Sequence, residues 1–221
     1  MAQELGRVER PLVASLREGR KLFLIPKLQE TPGVEEEGRV ILRRYWGQIR
    51  SQVASLEERL GPARHVYHES LTEGGDQGLR HLEAVDPLNH DFVQEKCQAG
   101  AKLEATEDHD VLGETVDLQR CLMLPFTSNK VATRLQDWFT DVIRRRNEHI
   151  SKRIDDTLVG DEVGLLVINE RHQVQFPTDI EVFFVAPPAL DEFRRWLSHW
   201  IAQQRLRDYE DENSSESSVE A

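Results

Sequence analysis

Cysteine and long apolar runs are scarce in this chain. Its 221 residues include two cysteines, Cys97 and Cys121, which are too far apart for a Cys-x-x-Cys motif and too few for a disulfide framework. The apolar stretch near the start, Leu22 to Ile25, is too short for the core of a signal peptide. Nothing approaches the roughly 20 apolar residues of a membrane span. We therefore expect a cytoplasmic protein that does not associate with a membrane.

Positive charge is also in short supply, because the chain carries a net charge of −12. Residues 208–221 contain no Lys or Arg and hold six acidic residues. Nonspecific binding to nucleic acid needs a basic footprint, so this class of partner is not expected. The acidic tail also lacks apolar periodicity, and we expect it to be disordered.

The usual motifs of catalysis are missing as well. The sequence has no glycine-rich phosphate loop, no nucleophile motif and no metal-ligand spacing. It thus predicts no cofactor. What it does contain is a pair of apolar runs of strand length, at 162–168 and 180–185. Their β-branched and aromatic residues predict two buried strands, and the alternation of polar and apolar residues in the link between them favours a hairpin.

Helical periodicity is strong elsewhere. Apolar residues from Leu42 to Leu60 step by four and three, which predicts a helix that Gly61 and Pro62 stop. Further helices are predicted at 11–19, 87–100, 108–124, 128–158 and from Pro188, and further strands at 21–25, 63–71 and 101–106. The helix that Ser128 caps is predicted to be the longest, and its first half to bury Val131, Leu135, Trp138 and Val142.

These elements together predict an α/β fold with a mixed sheet of about five or six strands and helices on its faces. We divide the chain into an N-terminal helix, strand and link (1–38), an α/β subdomain (39–125), a segment with a long helix, two strands and a terminal helix (126–207), and the acidic tail (208–221). The two central segments form either one unit or two subdomains that meet near Pro125.

The phrases Ala63-Arg-His-Val-Tyr-His-Glu-Ser-Leu71, Gly100-Ala-Lys-Leu-Glu-Ala-Thr106 and Glu107-Asp-His-Asp110 carry a family resemblance. With the elements around them, residues 39–125 resemble the C-terminal domain of Pelota and of the archaeal and eukaryotic class-one release factors. The chain departs from that pattern in having one glycine between Val111 and Val116, and it lacks the catalytic Gly-Gly-Gln tripeptide of release factors. The resemblance implies a protein-binding or ribosome-associated module. Residues 126–207 resemble a conserved bacterial family with no assigned function.

Glu107, Asp108, His109 and Asp110 form a run of possible ligands. Consecutive side chains point in different directions, so they could not all reach one ion. Acidic residues are favoured at a helix N-terminus by the helix dipole, which is one explanation of the run. The other is a metal or phosphoryl role for Glu107 and His109.

Arg146, His149 and Arg153 continue the apolar stripe of the long helix. In one explanation the stripe rotates through Ile150, Ile154 and Leu158 and leaves the basic residues at its edge. In the other, the three line a groove for an acidic partner or a phosphate.

Arg171 and His172 lie in the link between the two apolar runs and are the loop residues that we expect to bind a partner, because loops at strand ends often carry function. The leading hypothesis is a non-enzymatic cytoplasmic adaptor with a protein partner, linked to translation and ribosome rescue by the resemblance. The alternative is a small hydrolase or phosphoryl-handling enzyme that uses residues 107–110 with Arg146 and Arg153. The sequence does not indicate an oligomeric state.

Overall fold

The computed structural model describes residues 18–30 and 33–219, with no side-chain detail at 206 or from 208 onward. The helix expected at 11–19 lies outside these residues, apart from its last two positions. The elements are β1 (Arg20–Pro26), α1 (Glu36–Leu60), β2 (Ala63–His68), α2 (Gly75–Val85), α3 (Pro87–Gln98), β3 (Lys102–Leu103), α4 (His109–Leu122), α5 (Asn129–Thr157), β4 (Val163–Ile168), β5 (Ile180–Phe184) and α6 (Pro188–Val219). The expected α/β class is confirmed.

The five strands form one sheet in the order β3-β2-β4-β1-β5. Every pairing is parallel, so the prediction of a mixed sheet is wrong. The predicted hairpin is also wrong, because β4 and β5 lie on opposite sides of β1. All six residues of β4 are buried, as is typical of a strand covered on both faces of a parallel sheet. Since β4 lies between β2 and β1, the segments 39–125 and 126–207 share a sheet and do not form separate subdomains.

Alternate residues of the strands face two apolar layers. Phe23 and Ile25 pack with residues of α1, α3 and α6, whereas Leu22 and Leu24 pack with Ile150 and Ile154 of α5 and with the link after β4. The predicted stripe of α1 is confirmed, with Leu42, Trp46, Ile49 and Val53 almost fully buried. The molecule is thus a three-layer arrangement with the sheet in the middle.

The second apolar run is less buried than expected. β5 has one neighbouring strand, and Val182 and Phe184 remain 39% and 54% exposed. A strand at the edge of a sheet has no neighbouring strand on its outer side, so the side chains there have fewer residues to pack against. The apolar residues of this run therefore do not mark a central strand.

Helices α4 and α5 form a hairpin whose far end is not packed on the sheet. In α5 the buried residues are Val142, Ile150 and Ile154, while Val131 and Trp138 are 49% and 52% exposed. The expectation that the first half of α5 is buried is therefore wrong except at Val142. The periodicity is real, but in this half it faces α4 and solvent instead of the core.

Three element boundaries also differ from expectation. Residues 75–85 form helix α2, which the sequence did not predict. The strand at 101–106 is reduced to Lys102–Leu103. Helix α6 continues to Val219 and is longer than α5; the disorder expected at 208–221 stays a prediction. The tail contains no Gly or Pro, and extending an existing helix costs far less than starting one.

Candidate functional site at the carboxyl edge of the sheet

The carboxyl ends of β1, β4 and β2 lie side by side. The backbone N–H of Lys27 donates to Ile168 O at 2.8 Å, and that of Glu69 donates to Val167 O at 2.9 Å. The chain leaves β1 toward α1 on one face, whereas the link after β4 packs on the other face. In open α/β sheets, ligands bind in the crevice formed where neighbouring connections diverge in this way. This edge is therefore the candidate site.

Glu107 and Arg146 form a largely buried ion pair at this edge. Arg146 Nε donates to Glu107 Oε1 at 2.9 Å and to Oε2 at 3.0 Å, and Arg146 Nη2 contacts Glu107 and, at 3.5 Å, Glu69. The Glu107 side chain is 1% exposed. Burial lowers the pKa of Arg146, but its ion pairs with Glu107 and Glu69 outweigh this effect and hold the pKa above its usual value. The pair thus fixes α5 against the end of β3.

His149 and Arg153, the other two residues of the predicted basic trio, face the same segment. Arg153 Nε donates to the carbonyl of Ala105 at 3.1 Å, and its Nη2 lies 3.7 Å from Glu104. The side chain of His149 is half-buried and contributes to lowering the pKa of Asp108, after the larger effect of the Val111 N–H. The acidic partner of Arg146, His149 and Arg153 is therefore residues 104–108 of the chain itself.

The buried face of α5 changes along the helix, as the first of the two explanations for Arg146, His149 and Arg153 requires. Ile150, Ile154 and Leu158 are fully buried. The second explanation needs an open groove beside Arg146 and Arg153 for an external acidic partner. Residues 104–108 of the chain already occupy that position. Sequence periodicity placed the basic residues correctly on the helix, but it could not identify a partner about 40 positions away in the chain.

Glu104 joins this network from the other side. It accepts from His65 Nδ1 at 2.9 Å and from Lys102 at 2.8 Å. Burial raises the pKa of Glu104, but Lys102 and His65 lower it further, so the pKa falls below its usual value. This carboxylate is 4% exposed and pairs with three basic side chains, which gives it a structural role between β2, β3 and α5.

Ser70 occupies an unusual backbone conformation immediately after β2. Its φ of 75° is the one positive value outside glycine among the described residues, a conformation that costs free energy and that occurs often at functional sites. Its N–H donates to Glu107 Oε1 at 3.2 Å, and Lys27 Nζ lies 3.5 Å from its hydroxyl. Neither Ser70 nor Lys27 was among the residues that the sequence indicated. An isolated serine after a strand gives no sequence signal of this geometry.

His68 lies just inside the same edge and is 1% exposed. Its Nδ1 contacts the carbonyl of Glu69, while its Nε2 and Asn89 Oδ1 have no hydrogen-bond partner among the described residues. Burial, with the charge of Lys27, lowers the pKa of His68 to about 3. His68 is therefore neutral at pH 7 and cannot serve as a cation in this site.

Arg171 and His172 follow β4 in a turn at this edge. The N–H groups of Arg171 and His172 donate to Asn169 Oδ1 at 2.9 Å and Asn169 O at 3.0 Å. His172 Nδ1 accepts from Val174 N at 3.2 Å, and burial lowers the pKa of His172 although the charge of Glu69 acts in the opposite direction. The turn therefore brings His172 close enough to Glu69 for the carboxylate charge to affect the pKa of His172. The side chain of Arg171 is exposed.

The acidic run at 107–110 does not form a metal site. His109 is 87% exposed and pairs with Asp110, whereas Glu107 faces inward to Arg146. No group of three or more metal-binding side chains occurs among the described residues. Asp108 caps α4 by accepting from the N–H groups of Asp110 and Val111, both at 3.0 Å, so the helix-terminus explanation of the run is confirmed at Asp108.

A second surface lies on the helical hairpin. We define the hairpin patch as the large apolar side chains that α4, α5 and their connection leave exposed: Val116, Met123, Leu124, Val131 and Trp138. Met123 and Leu124 at the tip are 73% and 63% exposed. On the side of α5 facing the link, a groove of about 820 Å³ is lined by Phe139, Ile143 and Pro177 among others. The hairpin thus carries five of the eleven large hydrophobic side chains that are exposed among the described residues.

Comparisons with protein-family models, with curated proteins and with solved structures find no match to this chain. None of the helices in the part of the chain that the structure describes has both the length and the apolar composition needed to cross a bilayer.

Proposed function

We propose that this protein is a non-enzymatic cytoplasmic adaptor that binds a protein partner through the hairpin patch. The observation that carries the proposal is the exposure of Met123 and Leu124, at 73% and 63%, on a hairpin that also leaves Val131 and Trp138 about half exposed. Clustered apolar side chains at a protein surface mark interaction sites more often than isolated ones do.

The shape of the hairpin supports this proposal. Helices α4 and α5 pack closely on each other, and Ile150 and Ile154 anchor the second half of α5 in the core. The Arg146–Glu107 pair adds a second attachment. An arm that is fixed at its base presents its tip in one orientation, which reduces the entropy lost on binding.

Catalysis by residues 107–110 with Arg146 and Arg153 has less support. General acid and base groups must come within hydrogen-bond reach of one reacting atom. Glu107 is buried against Arg146, whereas His109 faces solvent beside Asp110. Arg153 is engaged by Ala105 and Glu104. These groups do not converge on a common accessible point.

The class of partner is proposed from the resemblance of residues 39–125 to the Pelota and release-factor domain, which implies a component of the translation apparatus. The hairpin patch offers such a partner an apolar contact surface, which does not require the positive charge that binding to nucleic acid would need. Binding through apolar side chains would suit a ribosome-associated protein better than it would suit bare RNA.

The test is affinity capture from the native cell with the full chain and with the double variant Met123→Ser/Leu124→Ser. We expect the full chain to recover a stoichiometric partner, with ribosomal proteins or translation factors among the proteins enriched. The double variant should reduce that recovery by about tenfold or more, as expected when central apolar contacts are removed.

The matched control is Val85→Ser/Val159→Ser, which removes two side chains of 61% and 56% exposure that lie away from the hairpin. This variant should capture the partner as well as the unchanged chain does. Equal recovery by all three proteins would contradict the role of the patch, and enrichment of a partner unrelated to translation would contradict the proposed partner class.

A further inference from the structure

Lys27 is poorly bonded for a buried ammonium group. Its Nζ lies 3.5 Å from Ser70 Oγ and 3.5 Å from Glu69 Oε1, longer than a charge-assisted hydrogen bond. Its side chain is 12% exposed, so water replaces few of the missing contacts. An ammonium carries three donors that need acceptors. The surroundings of Lys27 therefore leave room for an additional acceptor.

Two further donors lie in the turn after β4. Because His172 Nδ1 accepts from the Val174 N–H, the neutral ring carries its proton on Nε2. This Nε2 and the guanidinium of Arg171 have no hydrogen-bond partner within residues 18–30 and 33–219. The hydroxyl of Ser70, held by the left-handed backbone, is a third donor.

The backbone brings these groups to the crevice at the carboxyl edge of the sheet. The Lys27 N–H donates to Ile168 O, which places Lys27 beside Asn169 and hence beside the turn that holds Arg171 and His172. Glu69 lies on the other side of β4, is 3.5 Å from both Lys27 and Arg146, and acts electrostatically on His172. Its carboxylate, like the ammonium of Lys27, makes long contacts only among the described residues.

We infer that this crevice binds a phosphate monoester of a hydroxyl-bearing molecule such as a sugar phosphate. Lys27 and Arg171 supply positive charge, and Ser70 and His172 supply hydrogen-bond donors. Four donors on three segments, which follow β1, β2 and β4, fit the three terminal oxygens of a phosphate better than the two coplanar oxygens of a carboxylate. Glu69 accepts a hydrogen bond from a hydroxyl of the ligand, as acidic residues do for ribose at the crevices of doubly wound sheets.

The charge balance of the crevice permits an anion. Three cations, Lys27, Arg146 and Arg171, stand against two carboxylates, Glu69 and Glu107. Arg146 is engaged mainly with Glu107 and Lys27 lies 3.5 Å from Glu69, so the crevice keeps one net positive charge, which Arg171 supplies. This site uses none of the residues of the hairpin patch, so the inference does not depend on the proposed adaptor function.

The test is isothermal titration calorimetry on the full chain with ribose 5-phosphate, inorganic phosphate and ribose as probes. We expect ribose 5-phosphate to bind most tightly, inorganic phosphate to bind more weakly, and ribose to give no measurable heat. Lys27→Gln and Arg171→Gln should each weaken binding by about tenfold, the loss expected for one charge-assisted hydrogen bond. Glu69→Gln should reduce the preference for ribose 5-phosphate over phosphate.

Arg171 is exposed, so its substitution tests the inference even if Lys27→Gln lowers stability. The matched control is Lys130→Gln, which removes an exposed charge near the start of α5 and should leave binding unchanged. Absence of binding by both phosphate-bearing probes would overturn the inference, as would equal binding by wild type and Arg171→Gln. Equal affinity for inorganic phosphate and ribose 5-phosphate would overturn the assignment of a hydroxyl-bearing ligand.

Discussion

Individual residues at the carboxyl edge of the sheet were only partly predictable. The sequence indicated Arg146 and Arg153 because arginine on an apolar stripe needs a partner, and both do have carboxylate partners at residues 104–107. Lys27 and Ser70 were not indicated, since their proximity depends on the order of β1, β4 and β2 in the sheet. Contacts between residues 43 positions apart arise from topology and leave no local signal.

His68 makes stability depend on pH. Its folded-state pKa of about 3 lies below the unfolded value of about 6.5, so the unfolded chain binds a proton that the folded chain excludes. The contribution is fully present above pH 6.5 and is lost as the pH falls toward 3. Between pH 7 and pH 5 we expect a loss of about 2 kcal/mol from this group, measured by urea unfolding.

The variant that isolates this effect is His68→Gln, which keeps a polar side chain without a titrating ring. Its unfolding free energy should fall by about 2 kcal/mol less than that of wild type over the same pH interval. His81→Gln is the matched control, because His81 influences His68 only through its charge. A pH profile of His68→Gln that parallels wild type would show that His68 does not cause the loss.

At the scale of helices and strands, local sequence signals predicted helix starts correctly, whereas the predicted burial of the first half of α5 was wrong. Ser128 caps the helix that it was predicted to cap, and Asp108 caps the helix that was predicted to begin at residue 108, because a capping bond is made within a few residues. The stripe of α5 was also identified, yet its first half is exposed. Periodicity shows which residues share a face, but it does not show what lies opposite that face.

The two halves of α5 should therefore differ in their tolerance of substitution. Ile154→Ala removes a side chain with 0% exposure and should lower the free energy of unfolding by about 2 to 5 kcal/mol through lost burial and a cavity. Val131→Ala, at 49% exposure, should change it by less than about 0.5 kcal/mol. Chemical denaturation measures both, and similar losses would mean that the hairpin is packed in solution.

At the scale of the whole molecule, the order of the strands in the sheet determines which parts of the chain unfold together. Apolar runs and helix periods predicted an α/β protein, but parallel pairing and the position of β4 could not be predicted, because the link after β4 crosses β1 without a helix. Since β4 hydrogen-bonds to β2 on one side and to β1 on the other, residues on both sides of Pro125 contribute to every layer of the core.

We accordingly expect the sheet to unfold in one cooperative step. In native-state hydrogen exchange, the amides of β1, β2 and β4 should open with the same free energy, because removing any of these strands leaves the backbone hydrogen bonds of its neighbours unpaired and opens both apolar layers. The variant Ile154→Ala, which touches one face of the sheet, should lower that shared free energy equally in all three strands. Protection that falls in β4 alone, with β2 unchanged, would instead indicate two units that unfold separately.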